Sequence, residues 1–332
     1  MPRILFFSTV FPPFIEEDEI ILRRHAVVEK VIAHGLHAAV ALPGAVLRAD
    51  IALAWFGSVY AGYMVFLARL FRKKSIVLVA GVDASRDREI NYGIWLSPWK
   101  SLFVRYAYRH ADRVLTVDPF LQREVIRLAE YDGRNICTIP FGFDGKRWYP
   151  GDGKERRVIT VAACEDRWRM KKKGIDKIFD AARKLPDVPF QVLGIRDPYL
   201  TQVRAEIPPN VEVIEYLPRD RILPFLQRAK VYCQPSFTEG LPNALCEAML
   251  CECIPVGTMA GGIPTAIGTA GYLVPYSDQE ALVDGLRSAL DAPPGRGKEA
   301  RARILNEFTI QHREDALAEV LAGLQLSMAP GE

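Results

Sequence analysis

Long apolar runs are missing from this 332-residue chain. The longest, Val59 to Leu70 (VYAGYMVFLARL), has 12 residues and already contains Arg69, whereas a membrane-spanning helix needs about 20. The N-terminal stretch MPRILFFSTVFPPF carries only a short apolar run and no small-residue cleavage site, so it does not read as a signal peptide. Cysteine is sparse. Its six occurrences, at 137, 164, 233, 246, 251 and 253, form no CxxC pair and have no His cluster beside them, which removes the usual zinc patterns and leaves buried, reduced thiols as the expectation. Net charge is also small, at +3, too little to argue for a nucleic-acid partner. Its distribution is uneven: residues 1–150 hold 20 Lys and Arg against 15 Asp and Glu, and the remainder hold 23 against 25. These absences point to a cytoplasmic protein.

What is present is an ordinary globular composition, 49% apolar and 25% charged, in a chain long enough for two domains. Strand-length apolar runs alternate with amphipathic helical stretches, the pattern of parallel sheets covered by helices. In the first half, Ile4–Ser8 reads as a strand, Glu19–His34 as a helix stopped by Gly35, Ala38–Leu42 as a second strand and Ile51–Trp55 as a third. Strands at Ser75–Ala80, Arg113–Val117 and Ile136–Ile139 alternate with helices ending at Leu70, at Pro98–His110 and at Pro119–Ala129. The segment PFGFDGKRWYPGDGKERR (140–157) then interrupts the alternation and is the best linker candidate. Beyond it the alternation restarts with Val158–Ala163 and Ile175–Lys184. Two open α/β sheets in tandem bind ligands outside the carboxyl ends of their strands, and facing sheets direct those ends at a shared cleft.

The chemistry concentrates in Gln234–Gly262, QPSFTEGLPNALCEAMLCECIPVGTMAGG. A strand ends near Gln234, and Thr238 to Leu241 form a loop. Pro242 suits the first position of a helix. The free N–H groups at such a helix start favour an anion such as a pyrophosphate, and Gly240 lets backbone approach a ligand closely. Glu239 lies in the loop and Glu247 about two turns further on, inside the helix. Carboxylates beside a diphosphate would repel it, so these two are better suited to accepting hydrogen bonds from sugar and ribose hydroxyls. Lys173 precedes Gly174 where a loop gives way to a helix, a place where a cation can meet a bound anion.

Several of these segments, in order, resemble retaining glycosyltransferase family 4, of the GT-B architecture. IPFGFDGKRWYP resembles its inter-domain segment, and MKKKGID the Lys-Gly-x-Asp start of the first donor-domain helix. PSFTEGLPNALCEAM resembles its Glu–seven residues–Glu motif, and CIPVGTMAGGIPTAIGTAGYLVP the segment that follows it. The resemblance covers the second half well; over the first half it is mostly architectural. It implies two Rossmann-like domains facing across a cleft. Residues 1–148 would form an acceptor domain joined by a C-terminal helix at about 312–328, and residues 149–311 a donor domain. It implies a retaining, metal-independent transferase that moves a hexose-type sugar from a UDP-, GDP- or ADP-sugar to a glycan, lipid-linked or small-molecule hydroxyl, with no cofactor. By the same resemblance Glu239 contacts the transferred sugar, Glu247 binds the ribose, Lys173 neutralises the departing diphosphate, and the N–H groups of Gly240 and Leu241 support sugar or phosphate. The absence of an Asp-x-Asp signature agrees with metal independence.

The sequence also departs from the family pattern. The donor strand ends in VAACEDRWRMKKKG instead of Gly-Arg, which leaves Arg169 or Arg167 as the assisting cation. The Gly-rich loop after the first strand is replaced by PPFIEEDE. No His matches the family's cleft position, and Asp83, in AGVDAS, is the nearest polar candidate. Glu252 and Thr265 stand where the family usually has Gly and Glu. The segment SPWKSLFVRYAYRH mixes aromatic and basic residues. With RLFRKK it reads either as a patch for peripheral contact with the inner face of the cell membrane or as core aromatics with solvated cations. Two other readings stay open at this level: a sugar-nucleotide isomerase of the same architecture, and a noncatalytic nucleotide- or carbohydrate-binding protein.

Overall fold

The computed structural model describes residues 1–327, and counts of elements refer to these. The chain divides into two compact units, residues 1–142 with the C-terminal segment from Ile310, and residues 143–309. The break falls at Gly142/Phe143, slightly before the expected 148/149.

Unit 1 alternates β1 (Arg3–Ser8), α1 (Pro13–His25), β2 (Val27–Ile32), α2 (Gly35–Arg48), β3 (Ile51–Trp55), α3 (Val59–Leu70), β4 (Lys74–Val79), α4 (Pro98–His110), β5 (Arg113–Thr116), α5 (Pro119–Ala129) and β6 (Ile136–Thr138). Its six strands are parallel, in the order β2-β1-β3-β4-β5-β6. The central strands are largely apolar, and all five residues of β3 are apolar and buried, as expected for strands covered on both faces.

Unit 2 runs β7 (Glu155–Cys164), α6 (Arg167–Lys173), α7 (Ile175–Lys184), β8 (Phe190–Ile195), α8 (Tyr199–Val203), β9 (Val211–Ile214), α9 (Leu223–Arg228), β10 (Ala229–Gln234), α10 (Asn243–Leu250), β11 (Ile254–Thr258), α11 (Ile263–Ile267), β12 (Tyr272–Val274), α12 (Gln279–Asp291) and α13 (Gly295–Glu307). This sheet is again parallel, ordered β12-β11-β10-β7-β8-β9. Both units are Rossmann-like. The last helix, α14 (Ile310–Leu326), belongs to unit 1; position 328 of the expected helix lies outside the described residues. There Arg313 meets Asp18 of α1 through two hydrogen bonds of 2.5 and 2.7 Å, both side chains buried, and also donates to the carbonyls of Ile139 and Pro140. Glu314 accepts from Arg24 at 2.5 Å and bonds the His25 ring at 3.0 Å.

Four sequence expectations are corrected. The expected helix Glu19–His34 ends at His25, and its second half is strand β2. The expected strand Ala38–Leu42 lies inside α2, although Pro43 sits within that helix. Short apolar runs such as AAVAL fit either structure, because periodicity alone does not separate a buried strand from a buried helix. The segment RWRMKKK, expected as loop, is helix α6. Asp166 caps it by accepting from the N–H of Arg169 at 2.6 Å, and Gly174 closes it in the left-handed conformation, φ +67°. Pro242 is the N-cap residue of α10 and not its first helical residue.

The six cysteines are free thiols, five buried and Cys137 half-buried. Among the described residues no helix is long and apolar enough to cross a membrane.

Candidate active site

In unit 2 the carboxyl end of β10 runs into the loop Pro235–Leu241, and neighbouring elements hold that loop in place. From α6, the Lys172 carbonyl accepts from the N–H of Phe237 at 2.8 Å. Gly174 passes so close that a Cβ there would lie 2.1 Å from the Pro235 carbonyl oxygen. From the end of β11, the Thr258 hydroxyl donates to the Ser236 carbonyl at 2.6 Å. Just beyond, the N–H of Gly262 donates to the Glu239 carbonyl at 3.1 Å. Gly261, at φ +56°, would bring a Cβ within 2.1 Å of that same carbonyl. The KKKG, PSFTEG and AGG segments, far apart in the chain, are therefore one site at the carboxyl ends of a parallel sheet, where such folds bind ligands.

Glu239 is the hub. Its Oε1 accepts from Lys173 Nζ at 2.7 Å, Ser236 Oγ at 2.8 Å and Gln234 Nε2 at 3.3 Å, and Gln234 Oε1 accepts from Tyr232 OH at 3.1 Å. Burial alone would raise the Glu239 carboxyl, but the Lys173 and Lys172 ammoniums outweigh it and hold the group below the usual glutamate range. Lys172 pays the converse: burial pushes its ammonium down to about 8, Glu239 opposes this, and Lys173 and Arg169 add to it. The loop end of β10 thus carries two ammonium groups around one carboxylate. The N–H groups of Gly240 and Leu241 make no hydrogen bond among the described residues, and the Leu241 side chain is buried.

Glu247 lies inside α10, 4% exposed. Arg219, in a single 3-10 turn before α9, engages it from Nε at 2.6 Å and Nη2 at 2.5 Å, and its guanidinium lies 5.7 Å from the Trp148 ring centre. Neither Arg219 nor the half-buried Lys172 was singled out from sequence. Arg219 sits in PRDR, where nothing in the pattern marks it, and Lys172 sits in a basic run that resembles a solvated patch.

The remaining sequence candidates are placed elsewhere. Asp83, in unit 1, is fully buried, and its carboxylate accepts from the N–H groups of Gly57 (2.8 Å), Gly81 (2.9 Å) and Ala80 (3.3 Å). Its carbonyl accepts from Trp95 Nε1 and Tyr108 OH. Burial pushes this carboxyl up, opposed by the backbone donors. Its carboxylate oxygens hold the loops after β3 and β4. Arg169 is tied to Glu165 at 3.1 Å and Arg167 to Glu206 at 2.7 Å. Two of the four carboxylates of PPFIEEDE are likewise structural: Asp18 pairs with Arg313, and Glu19 with Arg23 and Lys30.

Residues 156–292, most of unit 2, match the family model for Glycosyl transferases group 1. The chain is 28% identical over 269 residues to alpha-maltose-1-phosphate synthase of Mycolicibacterium smegmatis, covering 71% of this chain and 68% of that one. It is 27% identical over 286 residues to the MMP alpha-(1->4)-mannosyltransferase of Mycolicibacterium hassiacum, covering 75% and 68%. In fold it is similar to Anabaena Alr3699/HepE, solved in complex with UDP and glucose, with a TM-score of 0.78 at 16% identity over 97% of this chain and 100% of that one.

Proposed function

We propose that this chain, a glycosyltransferase of the group 1 type with the GT-B fold, moves a hexose-type sugar from a nucleoside diphosphate sugar to a hydroxyl of a glycan, lipid-linked or small-molecule acceptor, with retention of configuration and without a required metal ion. The observation that carries this reading is the Lys173–Glu239 pair at the carboxyl end of β10, with Lys172 beside it. A nucleoside diphosphate leaves with growing negative charge while the sugar becomes oxocarbenium-like, and fixed cations aimed at that charge lower the barrier. Lys173 and Lys172 supply two such cations. As the diphosphate draws Lys173 toward it, Glu239 keeps an oxygen for a hydroxyl of the transferred sugar. Glu247 takes the ribose diol, with Arg219 holding its carboxylate in orientation. The unused N–H groups of Gly240 and Leu241 face the same task as Lys173, support of the sugar–diphosphate junction. UDP-sugars come first as donors, since the Anabaena protein of similar fold holds UDP and glucose; retention follows the family the sequence resembles.

The test is turnover with a panel of UDP-, GDP- and ADP-sugars, with and without acceptors, in the presence of a chelator. The expected result is transfer that survives chelation and falls about a hundred-fold or more in kcat for Lys173→Ala, with unchanged thermal unfolding. Unaltered kinetics in that variant would remove Lys173 from the mechanism. Interconversion of the donor without transfer would indicate an isomerase, and binding without turnover a noncatalytic protein.

A further inference from the structure

Unit 1 presents a second chemically distinctive feature, away from its sheet edges. Right-handed crossovers place α2, α3 and α4 side by side on one face of the unit 1 sheet, because β2, β3, β4 and β5 follow one another across it in a single direction. Neighbouring helices of this set pack directly on one another. The sequence beneath them is one-sided in charge. There is no Asp or Glu between Glu29 and Asp50, between Asp50 and Asp83, or between Glu89 and Asp112. The three helices therefore contain no carboxylate at all.

Cations are present at both ends of this face. Arg69, Arg72 and Lys73 lie at the end of α3, and Lys100 lies in the first turn of α4. None of these four makes an ion pair among the described residues, whereas Lys74 is spent on Asp112 and Arg105 on Glu130. Between them the surface is apolar. Leu36 and Val40 of α2 are 82% and 80% exposed, and Phe66, Trp99 and Leu102 are 49%, 56% and 66% exposed. The seam between α3 and α4 opens into a groove of about 410 Å³ lined by Gly62, Tyr63, Phe66, Leu102, Phe103 and Tyr106. At its floor Gly62 meets the Phe103 backbone so closely that a Cβ would lie 2.6 Å from the Phe103 carbonyl oxygen. A water-facing helix pair would carry mixed charges here. The combination of exposed aliphatic and aromatic side chains with unpaired cations and no anion is that of a surface lying at a lipid interface.

We propose that the α2–α3–α4 face of unit 1 docks on an anionic phospholipid bilayer, with its four unpaired cations at the headgroups, its exposed Leu, Phe and Trp side chains at the acyl boundary, and the α3–α4 groove receiving acyl carbon. A nucleic acid would match the cations but leaves Leu36, Val40 and Leu102 with nothing to bury against. A second copy of the same face repels the first, since it offers cations and no carboxylate to meet them. The bilayer satisfies both halves of the surface. This inference stands apart from the reading of the donor site, because none of its residues belongs to unit 2.

The test is co-sedimentation of the full chain with vesicles of phosphatidylcholine alone and of phosphatidylcholine mixed with phosphatidylglycerol. Sedimentation with the mixed vesicles only, suppressed by added salt, is expected. Each Lys or Arg near an anionic surface contributes roughly five-fold to partitioning, so the variant R69Q/R72Q/K73Q/K100Q should lose on the order of several hundred-fold. A second variant, W99S/L102S, should weaken binding while leaving the salt dependence in place. All six side chains are exposed or half-buried, so both variants are expected to keep wild-type thermal unfolding and wild-type donor hydrolysis in the absence of vesicles. Failure of the wild type to sediment with anionic vesicles overturns the proposal, as does equal binding by the four-cation variant. Retention on RNA without vesicle binding, or a dimer in sedimentation velocity that the variants abolish, overturns it in favour of those partners.

Discussion

One oxygen of Glu239 is shared by Lys173, Ser236 and Gln234, and that sharing sets what its removal does. Glu239→Ala releases Lys173 from its carboxylate, so affinity for a bare nucleoside diphosphate should stay level or tighten. Turnover of the sugar nucleotide should fall about ten- to hundred-fold, the range of a hydrogen bond to a charged group. Glu247→Ala should weaken both ligands by a similar factor, because both carry the ribose. Calorimetry of the two variants against both ligands checks this, and equal loss of the bare diphosphate in both would refute the division of roles. Lys172 adds a pH dependence. Its ammonium is depressed to about 8, and an anion binds its protonated form, so diphosphate affinity should be complete below that pH and decline as pH rises through it. Lys172→Arg should flatten the decline, since a guanidinium stays charged; the same slope in that variant would assign the titration elsewhere. Lys173 and the two glutamates were legible in the sequence because their residue types stand at motif spacing. Arg219 was not, because its carboxylate partner lies 28 residues further along the chain. Nor was the partial burial of Lys172, since a run of three lysines carries no sign of which ones turn inward.

At the scale of elements, α6 shows why the sequence read as loop. It has seven residues, and Met170 alone among them is buried. No apolar stripe marks it, and its ends are set by Asp166 and the left-handed Gly174. Fully buried strands such as β3 and β8, and helices with an apolar face such as α5 and α7, were legible because burial itself imposes their pattern. In α2 and β2 burial is partial, and the pattern loses its power to discriminate. The end of α10 holds a related feature. Glu252 adopts φ +62° immediately after the helix, in a conformation that favours glycine, and glycine is what the resembling family usually carries there. A left-handed non-glycine residue costs roughly 1–2 kcal/mol, and the extra freedom of an unfolded glycine returns about 0.5–1 kcal/mol of that. Glu252→Gly should therefore stabilise unit 2 by about 0.5–1 kcal/mol, seen as a rise of a few degrees in its thermal midpoint. A lower midpoint would mean that the Glu252 side chain contributes more than its backbone costs.

For the whole molecule, two units mean two unfolding transitions, and Arg313 belongs to one of them. With Asp18 it forms a buried pair, and removal of one member leaves the other charge without its counterion. Arg313→Ala should destabilise unit 1 by about 3–5 kcal/mol, whereas replacing both members by apolar residues of similar volume should recover most of that. Denaturant titration of each variant, followed by probes in either unit, checks it; an unmoved unit 1 transition would show the pair to be dispensable. The parallel sheets were readable from strand–helix alternation, but the membership of α14 in unit 1 was not, since periodicity carries no address and that expectation rested on the family resemblance alone. The same pair has a consequence for biosynthesis. Asp18 and Arg313 are 295 residues apart, so a ribosome delivers every residue of unit 2 before it delivers the arginine that α1 requires. Nascent unit 1 must wait without the counterion that Asp18 has in the finished chain, while the domain encoded after it has its whole sequence available to fold. A chain stalled or cleaved before α14 would then release a finished second unit joined to an unfinished first, the species that quality-control proteases would meet.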